Sequence, residues 1–298
     1  MFLNLFKPQP FSAFLLSTSL IFSTIAAEEE LPLQDSAEQL SFTVSAGSWV
    51  SVSLTPDDSY LVFDLLGDLY RLPIAGGHAE RITSGMGFDS QPVVSPDGSM
   101  LAFISDRNGK DNLWIANIDG SSPHQLSDET YARFISPTWN TNSSAVLVTQ
   151  RSQDIELVQY HIDGGSGVAI AQSDDDSSNP PGVGAAFSPD GMSLYFAEEL
   201  GSPSAPTDNF PVTQIVRLNL SNGARLQITQ GEGGGVRPQV SPDGRHLVYG
   251  TRYQTQTGLR IRNLETGDDR WLAYPVQRDA QENFRPSSRG MLPGYSFS

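Results

Sequence analysis

Ser95-Pro96-Asp97-Gly98 recurs further along the chain as Ser188-Pro189-Asp190-Gly191 and as Ser241-Pro242-Asp243-Gly244. A relaxed copy is Thr55-Pro56-Asp57-Asp58, and a degenerate copy is Asn140-Thr141-Asn142-Ser143. The first residues of successive copies are 40, 45, 48 and 53 residues apart. Proline presets φ at the second position of a tight turn, and aspartate and glycine suit the positions that follow. The chain therefore repeats one turn at a period that is typical of a repeat architecture.

Each copy lies between runs of strand-forming residues, and the second copy shows the whole unit. Strands are expected at 91–94, 100–105 and 112–118, and a fourth begins at His124. Four short strands joined by turns, repeated in this way, predict an all-β fold: a β-propeller of four-stranded blades, about five of them complete. Aromatic residues at alternate strand positions are expected to pack between the blades, namely Phe103, Trp114, Phe187 and Phe196.

The last residues of the chain match the strand that precedes a repeat turn. Gly294-Tyr295-Ser296-Phe297-Ser298 resembles Ala185-Ala186-Phe187-Ser188, and Ser298 stands 57 residues after Ser241, where the next turn is due. We therefore expect the propeller, residues 47–298, to be incomplete, with a further blade cut off at the C-terminus. The alternative is that the last segment is a tail.

The first 27 residues have the pattern of a secretory signal peptide. Lys7 is the only charge before Glu28, residues 11–25 are mostly apolar, and Ala26 and Ala27 are small. Cleavage is expected after Ala26 or Ala27, which leaves residues 28–46 as a lead-in to the propeller and predicts a periplasmic protein. The alternative is an uncleaved anchor, but a span needs ~20 apolar residues. No membrane span is expected after cleavage.

Charge and composition exclude several classes of protein. Lysine and arginine number 18 and the acidic residues 34, so the formal net charge is −16. A nucleic-acid partner requires a basic face, and no run of this chain supplies one. The absence of cysteine excludes disulfides, thiolate zinc sites and cysteine nucleophiles.

No catalytic, cofactor or metal site is predicted from the motifs. The chain contains no Gly-x-Ser-x-Gly elbow, and its four histidines form no ligand pattern. The glycine run 231–235 lacks the lysine and hydroxyl residue of a phosphate loop, and residues 174–176 lack EF-hand spacing. Both are interpreted as connections between blades.

The candidate binding residues come from the architecture. In a propeller the innermost strand of each blade begins near the central channel. Asp89, Arg133 and Arg237 stand before or at first strands. We predict that they line the channel mouth.

The repeats from Trp49 to Ser298 resemble the blades of TolB, the periplasmic propeller of the Tol-Pal system, and of the wider WD-repeat-like periplasmic group. Runs at 47–52, 63–70, 234–239 and 278–282 are similar to the propeller part of exported bacterial proteins in which an amidohydrolase domain follows the blades. TolB-like proteins also have an α/β domain before the propeller, for which residues 28–48 are too few.

Two main functions follow from these observations. The chain is predicted to be a non-catalytic periplasmic module that binds a protein or an envelope component through its loop face. The alternative is the propeller of an exported metal-dependent amidohydrolase whose catalytic domain would follow. A third interpretation, a propeller lyase with acids and arginines around the channel, would require clustered histidines or a bound cation.

Overall fold

The computed structural model describes residues 42–47, 50–129, 131–152, 154–172, 181–199, 213–253, 256–276 and 294–297. Within these ranges the chain forms five four-stranded antiparallel sheets and no helix. In every sheet the strands are neighbours in chain order. Each sheet is therefore one contiguous blade, as the repeat predicts.

The first two blades contain eight strands. Those of blade 1 are β1 (Val52–Leu54), β2 (Tyr60–Leu65), β3 (Asp68–Pro73) and β4 (Glu80–Arg81). Those of blade 2 are β5 (Asp89–Val94), β6 (Met100–Ser105), β7 (Asn112–Asn117) and β8 (His124–Gln125).

The other three blades follow the same plan. Those of blade 3 are β9 (Arg133–Trp139), β10 (Ala145–Arg151), β11 (Ile155–His161) and β12 (Val168–Gln172). Those of blade 4 are β13 (Pro181–Phe187), β14 (Ser193–Glu199), β15 (Thr213–Asn219) and β16 (Arg225–Gln227). Those of blade 5 are β17 (Val236–Val240), β18 (His246–Tyr253), β19 (Gln256–Asn263) and β20 (Asp269–Ala273).

The blades are arranged in a ring, which confirms the predicted propeller. First strands of successive blades contact one another, from β1 through β5, β9 and β13 to β17. Residues 294–297 lie between β17 and β1: the amide of Val52 donates to Gly294 O at 3.0 Å, and the hydroxyl of Tyr295 donates to Arg237 O. This is where the sequence places the first strand of a further blade, which stays a prediction.

The first strands all run in the same direction, so the ring has two distinct sides. The turn face carries the repeat turns, which begin at Thr55, Ser95, Asn140, Ser188 and Ser241. The connections between third and fourth strands lie on this face too. The strand-start face carries the connections between second and third strands and those between blades, which include Leu66, Met86 and Tyr131.

The repeat turn owes its sequence to a hydrogen-bond set. The hydroxyl of Ser95 donates to Asp97 Oδ1 at 2.6 Å, the amide of Ser99 donates to the same oxygen at 3.0 Å, and Gly98 has a φ of 75°. The amide of Met100 donates to Ser95 Oγ at 2.9 Å. The serine and the aspartate together therefore satisfy backbone donors that the ladder leaves unpaired.

The core lies between the blades. One cluster packs Leu113 and Ile115 of blade 2 against Phe134 and Val146 of blade 3. Two of the four aromatic residues that the sequence places in the core, Phe103 and Phe196, are fully buried. The other two, Trp114 and Phe187, are partly buried and pack against the apolar clusters that contain Phe103 and Phe196. Burying one such side chain contributes about 1.5–3 kcal/mol, so the contacts between sheets hold the ring together.

Three features expected from the sequence lie outside the described residues. They are the signal peptide (1–27), the acidic segment 174–179 and the proline-rich insertion 201–211.

Candidate functional site

The inner strands carry a β-bulge at one repeated position. Four residues before the repeat turn, the chain takes a positive φ of 50–86° and the ladder register shifts in blades 2 to 5. The residues at this position are Gln91, Ser136, Gly184 and Arg237. A bulge removes a residue from regular pairing and redirects it, so these residues are free to make contacts between blades.

The amide groups at the bulges bind the preceding blade. The amide of Gln91 donates to Asp64 Oδ2 at 2.7 Å, and that of Ser136 donates to Gln91 Oε1 at 2.9 Å. The amide of Gly184 donates to Thr149 Oγ1 at 3.2 Å. Asp64 also accepts the amide of Ser51 at 2.8 Å, so one buried carboxylate serves two inner strands.

Arg237 crosses the centre of the ring. Its Nη2 donates to Gln91 Oε1 at 2.8 Å and so connects blade 5 with blade 2. The residue is 6% exposed, and burial lowers the pKa of its guanidinium to about 10, while the nearby Tyr295 and Asp64 act in the opposite direction. The guanidinium is thus a buried positive charge at the axis.

A cavity of about 60 Å³ lies beside this guanidinium. Four inner strands and the last described segment line it, and the polar members are Ser51, Ser53, Gln91, Thr138, Arg237, Gln239, Tyr295 and Ser296. Because its walls come from different blades around the axis, the cavity belongs to the central channel.

The structure does not bring the three predicted site residues together. Asp89 is buried and pairs with Arg107 at 2.7 Å, and Arg107 also lies over the rings of Phe103 and Trp114. Arg133 is exposed at the start of β9, opposite Arg151. Of the three, Arg237 alone lines the cavity. A role for them in binding stays a prediction.

The sequence interpretation missed Gln91, Asp64 and Tyr295. A signal was present for the first of them, because Gln91, Ser136 and Arg237 each precede a proline at the same distance from the repeat turn. Proline donates no ladder hydrogen bond and is found at bulges. Asp64 and Tyr295 have no such local signal, because their partners are distant in sequence.

No group of three or more histidine, aspartate and glutamate side chains that could hold a metal occurs in the part of the chain that the structure describes. His161 Nδ1 lies 3.4 Å from Asp163 Oδ2, and His124 Nε2 lies 3.3 Å from Ile162 O. On the turn face, His161 therefore contacts its own turn, whereas His124 contacts the neighbouring blade 3.

The family model described as the TolB beta propeller domain matches residues 34–205. The chain belongs to this family. The match covers blades 1 to 3 and part of blade 4. It includes three of the four bulge residues, namely Gln91, Ser136 and Gly184.

Two curated relatives illustrate the range of TolB-like proteins. The Tol-Pal system protein TolB of Francisella tularensis subsp. tularensis is 24% identical over 205 residues, 66% of this chain and 44% of that protein. The uncharacterized peptidase YuxL of Bacillus subtilis is 27% identical over 169 residues, 56% of this chain and 22% of that protein. The chain spans less than half the length of either relative.

Two solved structures share the fold. The putative TolB from Agrobacterium tumefaciens has a TM-score of 0.61 at 21% identity, and the aligned region covers 75% of this chain and 80% of the Agrobacterium chain. TolB from Acinetobacter baumannii has a TM-score of 0.58 at 20% identity, and the aligned region covers 74% of this chain and 57% of the Acinetobacter chain. In the described ranges, no helix has the length and apolar character that crossing a membrane demands.

Proposed function

We propose that this TolB-like propeller is a non-catalytic periplasmic module that binds another protein or an envelope component through its strand-start face. The Francisella relative is named as a protein of the Tol-Pal system, which supports an envelope partner. The similarities do not favour the alternative of an amidohydrolase propeller.

The observation that carries the proposal is the set of exposed apolar side chains on the strand-start face. Tyr131 is 92% exposed, Leu66 70% and Met86 52%, and they lie in the β2–β3, β4–β5 and β8–β9 connections of blades 1 to 3. Tyr253 and Tyr274 are exposed on the same face of blade 5. Aromatic residues and methionine are enriched where proteins bind one another.

Charge around Tyr131 fits a polar rim. Arg133 is exposed two residues further on, and the overall charge of the chain is strongly negative. An apolar centre with charged residues beside it is the usual anatomy of a transient interface.

Photo-crosslinking in the cell tests the face. A photoreactive amino acid replaces Met86 or Tyr131 in the full chain, and the matched control replaces Met192, which is 65% exposed on the turn face. We expect a discrete adduct with one envelope protein from positions 86 and 131, and none from position 192. Equal adducts from both faces, or none from 86 and 131, would contradict the proposal.

Alanine substitution then measures the contribution of the face. Tyr131→Ala and Met86→Ala are expected to weaken binding of the crosslinked partner at least fivefold, since central interface residues contribute more than about 1 kcal/mol. Met192→Ala should leave the dissociation constant unchanged. Binding is measured by surface plasmon resonance with the exported chain.

A further inference from the structure

One of the residues that line the central cavity carries a buried hydrogen-bond donor with no partner. Gln91 is 2% exposed and lines the cavity, and its Nε2 is buried without a hydrogen bond. Its Oε1 accepts the amide of Ser136 and Nη2 of Arg237. Turning the side-chain amide over would point NH₂ at two donors, so the network fixes its orientation.

The cavity is also positively charged at this point. The Arg237 guanidinium is buried and lines the cavity, and both Tyr295 and Asp64 act on it electrostatically. An unpaired donor and a buried cation together favour an acceptor that carries negative charge.

Size and shape restrict the ligand. The cavity measures about 60 Å³, and a water molecule takes about 30 Å³ in the liquid. A carboxylate presents two coplanar oxygens, so one can accept from the Gln91 N–H and the other from the planar guanidinium. A dianion would be repelled more strongly by Asp64 than a monoanion.

We propose that the central cavity binds a carboxylate group through Gln91 Nε2 and the Arg237 guanidinium. The site is separate from the protein partner proposed above, because it lies in the channel and not on the strand-start face. The carboxylate belongs either to a small molecule or to the C-terminus of a peptide, and the two sources share the same chemistry.

Saturation-transfer NMR on the full exported chain tests the site. The probes are sodium acetate, observed at its methyl resonance, N-acetyl-trialanine with a free carboxylate, and the same peptide with a C-terminal amide. Ionic strength is held constant with sodium chloride. Acetate is expected to give a saturable signal. A signal from the free peptide but not the amide would show that a chain terminus enters, whereas acetate alone would indicate small carboxylates.

Gln91→Glu is the decisive variant. The new side chain keeps an oxygen for Ser136 and Arg237, but it replaces the N–H donor with a second oxygen that repels the ligand. Acetate affinity should fall at least tenfold. Gln239→Glu, which places a carboxylate in the same cavity without breaking a hydrogen bond of the Gln91 network, should also weaken it.

Gln159→Glu on β11 is the matched control, since it adds the same charge outside the cavity. It should bind acetate as the unmodified protein does. Urea unfolding of each variant shows that it is folded. The absence of a saturable acetate signal in the unmodified protein, or unchanged affinity in both cavity variants, would overturn the proposal.

Discussion

The buried carboxylate of Asp64 accepts hydrogen bonds from two blades. Its two oxygens accept the amides of Ser51 and Gln91, which belong to the inner regions of blades 1 and 2. Ser51 precedes the first paired residue of β1, and Gln91 lies at the bulge of β5, so neither amide has a partner in the ladder that could replace the carboxylate. Buried backbone donors that lose their acceptor carry the full cost of desolvation.

Asp64→Asn should therefore destabilise the ring. One side-chain oxygen becomes an NH₂ group that faces a backbone N–H, and the free energy of unfolding should fall by about 1–3 kcal/mol. Urea unfolding followed by tryptophan fluorescence measures the change. Asp163→Asn is the control, because the side chain of Asp163 is 86% exposed. A loss as small as that of the control would contradict the assigned role.

The aspartates of the repeat turns make the free energy of unfolding depend on pH in the acidic range. Hydrogen bonds from Ser59 and Thr55 lower the pKa of Asp57 from 3.8 to about 2, and similar bonds lower the pKa of Asp97, Asp190 and Asp243. A depressed pKa in the folded state stabilises the protein above the unfolded value, and this contribution is lost as pH falls.

Asp57→Asn should remove one part of this pH dependence. The difference in unfolding free energy between the unmodified protein and the variant should be constant above about pH 5 and should shrink between pH 4 and pH 2. Urea titrations at half-unit pH intervals provide the measurement. A difference that is the same at pH 2.5 and pH 6 would contradict the hydrogen-bond explanation.

At the scale of the element, turns are shaped by the neighbouring blade. Gly120 ends the β7–β8 turn with a φ of 81°, and a Cβ built on it would lie 2.0 Å from Ile82 O of blade 1. Gly109 in the β6–β7 turn has a φ of 90° and open space around it. The two positions differ in packing but not in backbone conformation.

Gly120→Ala and Gly109→Ala separate these two effects. Gly109→Ala should cost about 1–2 kcal/mol, the strain of a left-handed residue with a Cβ. Gly120→Ala should cost an additional 1–3 kcal/mol, because the Ile82 carbonyl has to move. Thermal unfolding monitored by circular dichroism compares the two. Equal losses of stability in the two variants would mean that the Ile82 carbonyl of blade 1 moves aside without a cost in free energy, which would contradict the packing explanation.

The strands could be predicted from the sequence because their signals are local. The strand expected at 100–105 matches β6, and the one expected at 112–118 matches β7 to within one residue. Each lies between turns whose residues require a particular φ. The bulge was harder to predict, because its positive φ falls on Gln91, Ser136 and Arg237, residue types that do not favour this conformation.

The centre of the site could not be predicted for a different reason. Arg237 and Gln91 are 146 residues apart, and Tyr295 lies 58 residues beyond Arg237. No local pattern marks such a pair, since their contact depends on the number of blades and on closure of the ring. The sequence pointed to Arg237 through its charge and its position at a first strand. The same criteria pointed to Asp89, which pairs with Arg107 and is not among the residues that line the cavity.

At the scale of the whole molecule, the blades are independent in sequence but joined at the axis. Every sheet is built from one continuous stretch of chain. Contacts between blades come from apolar clusters and from the bulge amides. This arrangement suits a rigid disc with variable loops, which is how propellers present binding surfaces.

Export of the whole chain is a prediction that can be measured directly. The signal pattern predicts a mature N-terminus at Ala27 or Glu28 and recovery in the periplasmic fraction. Intact-mass spectrometry of the purified protein determines the terminus. Replacing Ala26 and Ala27 with bulky leucine residues should leave the precursor uncleaved in the membrane fraction. A full-length species from unmodified cells would contradict the signal assignment.

The contact of residue 294 with β1 has a consequence for the order in which the molecule forms. Gly294 binds Ser51 across 243 residues of sequence, whereas each blade needs only its own consecutive strands. Local contacts form early and distant ones late. For a chain that is predicted to be exported, blade 1 therefore waits for this neighbour until residue 294 has also crossed the membrane. During that interval its inner edge is exposed, so the growing chain is most vulnerable to aggregation before the ring closes.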